Sequence, residues 1–166
     1  SFYLDIIKDR LYTYPAKSEG RRSGQTALHI LLMGMVRLMA PILSFTAEEI
    51  WSYLPREWVA KESVHLSQFA EPVVVNFDNA LVEKWVFIVD LKGEVSKALE
   101  ISRREKVIGH SLDSIVKLEL TDKFQNIVKS FSEELRFIFI VSKVEFVDSL
   151  GTEDNVYESD SLPGVK

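Results

Sequence analysis

Between Ala27 and Leu43 the chain runs for 17 residues whose apolar character is broken only by His29, Gly34, Arg37 and Pro41. A bilayer span needs about 20 predominantly apolar residues, so these interruptions make the run a buried helix. A helix that is apolar on nearly all sides has to be covered all round, which makes it the central member of a helical bundle. The spacing predicts this helix over Ser23 to about Ala40, since Pro41 disfavours helical geometry in the residue before it.

The flanking pattern supplies partners for such a helix. Residues 2 to 13 present Phe2 and Ile6 on one side and Tyr3, Ile7 and Leu11 on another, a broad apolar surface of helical period that Tyr14-Pro15 ends. Ala16 to Gly24 reads as an exposed basic loop with Lys17, Arg21 and Arg22. After Pro41, Thr46 with Glu49 spells a capping box, and Phe45 with Ile50 the matching staple, for a short helix through Trp51 and Leu54. Residues 56 to 78, including the Val73-Val74-Val75 run, read as a long connection. Asp78 or Asn79 can then cap an amphipathic helix of roughly 80–106 with Trp85, Ile88, Leu91, Val95 and Leu99 on its apolar stripe.

Beyond Gly109 the period shortens. Val116, Leu118 and Leu120 alternate with Lys117 and Glu119, the pattern of a strand with one buried face. Helical spacing returns at Phe124, Ile127, Val128 and Phe131, and Val144 and Phe146 alternate again, giving a β-α-β-like unit. The expected fold is therefore mainly α: a helical bundle over 1–110, a small α+β appendage over 111–148, and an acidic linker or tail over 149–166.

Composition narrows the chemistry. With no cysteine there is no disulfide, thiolate nucleophile or Cys-ligated zinc. His29, His65 and His110 fall on separate elements, and His29 reads as a core-edge residue. None of the seven glycines builds a phosphate cradle. Glu48-Glu49 and Glu133-Glu134 sit at helix N-termini, where carboxylates are stabilising, and so need no acid–base role. No catalytic residue and no metal site is expected. The net charge is −5, but residues 148–166 carry five acids against Lys166, net −4, which leaves the body of the chain near neutral. Residue 1 is Ser and no signal segment opens the chain, so it reads as a piece of a longer one.

The blocks Phe2-Tyr3-Leu4-Asp5-Ile6-Ile7-Lys8-Asp9-Arg10-Leu11-Tyr12 and Val36-Arg37-Leu38-Met39-Ala40-Pro41-Ile42-Leu43-Ser44-Phe45-Thr46-Ala47-Glu48-Glu49-Ile50-Trp51 closely resemble the anticodon-binding region of class I isoleucyl-tRNA synthetases. Glu94-Val95-x-Lys97-Ala98-Leu99-Glu100, Ile108-Gly109-x-Ser111-Leu112 and Glu134-Leu135-Arg136-Phe137-Ile138 continue the resemblance in order. The family's His-Ile-Gly-His-like and Lys-Met-Ser-Lys-Ser-like ATP signatures do not occur, nor does the Cys-rich zinc module that closes bacterial-type members.

The resemblance implies a cytoplasmic, monomeric ATP-dependent isoleucine–tRNA ligase as the parent. This piece would be non-catalytic and without a cofactor of its own. Its partners would be the isoleucine tRNA and the rest of the synthetase chain, with no membrane, and zinc would belong to a C-terminal module. Single-stranded RNA is held by cations on phosphates and by bases stacked on aromatic or Arg planes. Two basic groups fit that chemistry: Lys8, Arg10, Lys17, Arg21 and Arg22 around the first helix and loop, and Lys97, Arg103 and Arg104 on the long helix, where Glu100–Arg104 is an alternative intrahelical pairing. Tyr12 and Tyr14 are candidate stacking platforms, Trp51 and Trp85 core residues, and Arg37 the partner of a carboxylate inside the bundle. A different class of function, a helical docking scaffold without direct anticodon contact, is favoured by the acidic charge and disfavoured by the basic loop.

Overall fold

The computed structural model describes residues 2–72, 78–151 and 156–166. In chain order the helices are α1 (Phe2–Ile6), α2 (Lys8–Tyr12), α3 (Glu19–Met39), α4 (Ser44–Ser52), α5 (Asn79–Arg104), α6 (Asp122–Lys129) and α7 (Leu135–Phe139). The strands are β1 (Ile115–Glu119), before α6, and β2 (Lys143–Val147), after α7. The architecture is mainly α with a small α+β part, as the periodicities require. The chain divides into two compact units, Ile7–Val75 and the combination of Ser1–Ile6 with Asn76–Lys166.

In the first unit, α3 packs on α2, on α4 and on the 3-10 turn Val64–Leu66. Val36, Ala47, Trp51 and Val64 are its most buried core members. Glu48 ties the turn down: its Oε2 accepts from Ser63 Oγ at 2.8 Å and from Val64 N at 3.1 Å. Trp51 is core, and its indole nitrogen donates to the Lys61 carbonyl at 3.0 Å, which satisfies the one polar atom of a buried ring.

Two boundaries and one side-chain partner differ from those expected. First, α3 begins at Glu19, so Arg21 and Arg22 stand in its first turn and not in a loop. The reason is Ser18, whose extended backbone and side chain make it the N-cap, accepting from Arg21 N. Second, Thr46 does not cap α4. The chain leaves α3 through a tight turn in which Ile42 N and Leu43 N both donate to Met39 O, and Ala47 N donates to Leu43 O, so the cap position falls on Leu43, three residues earlier. Phe45 is then 92% exposed and forms no staple. Third, Arg37 lies over the Trp51 ring at 5.8 Å, and among the described residues its Nε has no hydrogen-bond partner. An aromatic face, a site that attracts a guanidinium, stands where a carboxylate was expected.

In the second unit, Asp78 caps α5 by accepting from Ala80 N and Leu81 N. β1 and β2 pair in parallel in the register Ile115↔Lys143 through Glu119↔Val147, the arrangement that a crossover through α6 and α7 allows. Ile88, Leu91 and Val95 of α5 share one core with Leu118, Val128 and Leu135, so α5 groups with the strands and the packing shows no break at residue 110. Trp85 packs edge-on against Phe131 at this core, with ring centroids 5.1 Å apart. The Val73-Val74-Val75 run lies outside the described residues.

The segment expected as a linker or tail is folded over the part of it described here, residues 156–166. Leu120 bridges Val165 in antiparallel sense, and Glu119 and Lys166 exchange two backbone hydrogen bonds of 3.1 Å. Val165 and Ser159 are buried. Composition misled because the described acids, Glu158 and Asp160, are exposed, while the two decisive residues, Ser159 and Val165, find partners more than 40 positions away.

Candidate RNA-binding surface

The first basic group is built by a turn and a helix start. Ser18 N closes the Tyr14-Pro15 turn by donating to Pro15 O at 2.9 Å, and α3 then begins. Arg21 reaches back seven residues, where its Nη1 donates to the Tyr14 carbonyl at 3.0 Å. Its Nε is buried without a hydrogen-bond partner among the described residues. Gly20 lies against the Tyr14 ring, whose edge stands 3.4 Å from where a Cβ would be. Arg21 and Tyr14 therefore hold each other and fix the geometry of the turn.

Arg22 and Lys17 are exposed. Among the described residues neither forms an ion pair or side-chain hydrogen bond. Lys8 is exposed and Arg10 half-buried on α2, which packs on α3. Tyr12, at the end of α2, is 80% exposed, whereas Tyr14 is half-buried under Arg21. The five cations of this group thus belong to one unit. Arg22 and Lys17 present full donor sets to solvent, and an aromatic face stands on the adjoining helix.

The second basic group, in the other unit, is largely committed to acids. Lys97 Nζ donates to Glu94 Oε1 at 2.6 Å, and Arg103 Nη1 to Glu100 Oε2 at 2.7 Å. The pairing on this helix is thus Glu100–Arg103, one residue short of the expected Glu100–Arg104, and both spacings are within reach on a helix surface. Arg104 is exposed.

A highly connected buried polar group was not singled out from the sequence. Glu94, buried on the apolar stripe of α5, accepts from Lys97, from Ser159 Oγ and Ser161 Oγ at 2.7 Å each, and from Tyr157 OH at 3.0 Å. The Lys97 ammonium first, then the Ser159 and Ser161 hydroxyls, hold its carboxyl down to about 2 against the opposing effect of burial. Lys97 is raised by the same contact, and Tyr157 is raised by burial and by Glu94. A glutamate three residues after Leu91 and next to Val95 was the available signal, because a carboxylate on a core stripe demands donors.

His29 and His110 serve the fold. His29 stacks edge-on against Trp58, ring centroids 4.6 Å apart, at the margin of the first unit's core. His110 accepts from Leu112 N through Nδ1 while its own N–H donates to Asp113. Among the described residues no group of three or more His, Cys, Asp or Glu is arranged to hold a metal ion, and no helix is long and apolar enough to cross a membrane.

The described structure thus has a capped helix start that presents two cations, Lys17 and Arg22, without a partner among the described residues, in the same unit as the exposed Tyr12. The chain belongs to the family described as the anticodon-binding domain of tRNA ligase, whose model matches residues 1–120. Its relatives include the isoleucine–tRNA ligase of Caldanaerobacter subterraneus subsp. tengcongensis, 48% identical over 150 residues that make up 89% of this chain and 16% of that protein. The isoleucine–tRNA ligase of Syntrophotalea carbinolica is 44% identical over 167 aligned positions, 100% of this chain and 18% of that protein. That of Staphylococcus aureus strain JH9 is 46% identical over 160 residues, 95% and 17%. The chain spans about a sixth of the length of the curated relatives it matches.

Proposed function

We propose that this chain is the tRNA-holding part of a cytoplasmic isoleucine–tRNA ligase, and that it binds the anticodon arm through the cations at the start of α3. The observation that carries this reading is the combination of the family match over residues 1–120 with Arg22 and Lys17, exposed and without a partner among the described residues, in the unit that also exposes Tyr12. Arg22 and Lys17 contact phosphates, with Lys8 and Arg10 extending the cationic rim. Tyr12 offers a face on which an unstacked base can sit. Arg21 shapes the turn that presents them. Arg104 is the best-placed member of the second group, since Lys97 and Arg103 are already held by Glu94 and Glu100.

In the parent enzyme, ATP-driven joining of isoleucine to its tRNA takes place outside these residues, which lack any ATP-binding signature. Without cysteine they form no Cys-ligated zinc site, and any zinc of the parent is proposed to belong to another module. A monomeric parent needs no partner besides the tRNA and its own chain.

The docking-scaffold reading has one observation in its favour: Leu31, Met35, Leu38 and Ile42 of α3 and its exit turn are exposed apolar residues at helical spacing. Titration of a fluorescent isoleucine-type anticodon stem-loop, against the same bases scrambled, separates the two. Preference for the native stem-loop that is lost in Lys17→Ala with Arg22→Ala supports the anticodon reading. Equal, weak binding of both RNAs by the wild-type chain and the variant leaves only the scaffold.

A further inference from the structure

We infer that the turn leaving α5 holds a further RNA phosphate contact, made by Lys106 with Arg104 two positions before it. The inference rests on the RNA reading and adds to it a contact in the second unit, apart from the cations of α2 and α3.

The backbone at Lys106 carries it. Its φ is +60°. It stands one residue past Glu105, the C-cap of α5, and two bonds close the turn: Lys106 N donates to Arg103 O at 3.0 Å and Val107 N to Ser102 O at 2.9 Å. This is the Schellman ending of a helix, whose left-handed position is most often glycine because a Cβ there crowds the backbone. Lysine at that position costs stability that glycine would not. A side chain kept on strained backbone points to a use for that side chain.

The helix dipole does not account for the lysine. Cations are favoured at a helix C-terminus, but Arg103 and Arg104 already occupy the last turn of α5. Arg103 is taken by Glu100 at 2.7 Å. Arg104 and Lys106 are exposed and form no ion pair or side-chain hydrogen bond among the described residues. Two cations therefore flank the exposed Glu105, and with that acid between them the local field is weak. Such a turn meets its anion by direct contact, as phosphates are met in register-fixing contacts, and does not gather it from a distance. The match to the anticodon-binding family runs to residue 120 and includes this turn, which favours RNA phosphate over an acidic polypeptide.

The turn is also held at its far end. His110 Nδ1 accepts from Leu112 N at 3.1 Å and Asp113 Oδ2 accepts from His110 N at 2.9 Å, a reciprocal cap on the 3-10 turn Ser111–Asp113. A connection fixed at both ends loses little freedom when it binds.

The test titrates an isoleucine tRNA transcript against Lys106→Gly, Lys106→Met and Lys106→Arg chains at four salt concentrations, with thermal melts of the same samples. Lys106→Gly is expected to melt several degrees above the wild type, since glycine relieves the left-handed position. It is also expected to lower the slope of log affinity against log salt by about 0.7–0.9, so that between 50 and 200 mM salt the wild type weakens about threefold more. Lys106→Met keeps the strain and the wild-type melting temperature but loses the same slope, and Lys106→Arg keeps both. Stability and binding move in opposite directions in Lys106→Gly only when the lysine is retained for its charge. A wild-type slope in Lys106→Gly and Lys106→Met overturns the inference, as does a Lys106→Gly chain that melts no higher than the wild type. When Lys17→Ala with Arg22→Ala lowers the slope and the Lys106 variants do not, the inference falls and the RNA reading stands. A transcript that the wild-type chain does not bind overturns both. Polyglutamate binding that depends on Lys106, with transcript binding indifferent to it, also overturns the inference and makes the turn a seat for an acidic polypeptide.

Discussion

Arg21 and Arg22 are adjacent, carry the same charge and stand in the same helical turn, yet the structure gives them opposite tasks, and separating them is the sharpest test of the surface. Arg21→Ala removes a charge-assisted hydrogen bond to the half-buried Tyr14 carbonyl. Such bonds contribute about 1.5–3 kcal/mol. For a unit the size of Ile7–Val75, about 1.5 kcal/mol corresponds to a melting shift of at least about 6 °C. Arg22→Ala removes an exposed side chain with no partner among the described residues, and its stability cost is within about 0.5 kcal/mol. In RNA binding the order reverses. One lost phosphate contact lowers the slope of log affinity against log salt by about 0.7–0.9, so between 50 and 200 mM salt the wild type weakens about threefold more than Arg22→Ala does. Anisotropy titrations of an anticodon stem-loop at four salt concentrations, with thermal melts of the same samples, give both quantities. An Arg22→Ala chain with the wild-type salt slope refutes the phosphate contact. An Arg21→Ala chain with the wild-type melting temperature refutes the division of labour.

Other expectations follow from particular contacts. Thr46→Ala is neutral or slightly stabilising, since Thr46 is an exposed interior residue of α4, whereas Asp78→Ala costs about 1 kcal/mol through loss of the α5 cap; chemical denaturation of the two variants checks both. Glu94 titrates below its ordinary value in the folded chain, so its stabilising effect is complete above pH about 4.5 and is lost as pH falls through about 2. Glu94→Gln therefore flattens the dependence of melting temperature on pH over that window and raises hydrogen exchange in residues 156–166. Gly164→Ala destabilises the same segment, because Gly164 has φ of +92° and an added Cβ would meet Thr121 Cγ2 at 2.6 Å; chymotryptic cleavage after Tyr157 in this variant, with α5 still protected, is the expected pattern.

Features set by residues close in sequence were legible in the chain. The stripe from Trp85 to Leu99 had to become an amphipathic helix, and the alternation at Val116–Leu120 and Val144–Phe146 a pair of half-buried strands, because 3.6- and 2-residue periods leave no other way to bury those faces; the 17-residue apolar run was legible as a helix, but the all-round cover expected of it is not found, since Leu31, Met35, Leu38 and Ile42 are exposed. The family itself was readable from ordered blocks of residues. Tertiary structure decided matters whose partners lie far along the chain or compete locally. Ser18 took the cap and drew Arg21 and Arg22 into α3, Met39 O took two amides and moved the start of α4 away from Thr46, and Trp51 met Arg37 where a carboxylate was expected. Glu94 gathered Ser159 from 65 residues away and turned an acidic, apparently loose stretch into part of the fold. Local patterns state what each residue must bury or satisfy. Only the assembled fold states which distant group does it, since a carboxylate on a core stripe accepts donors from whichever segment the folded chain brings past it.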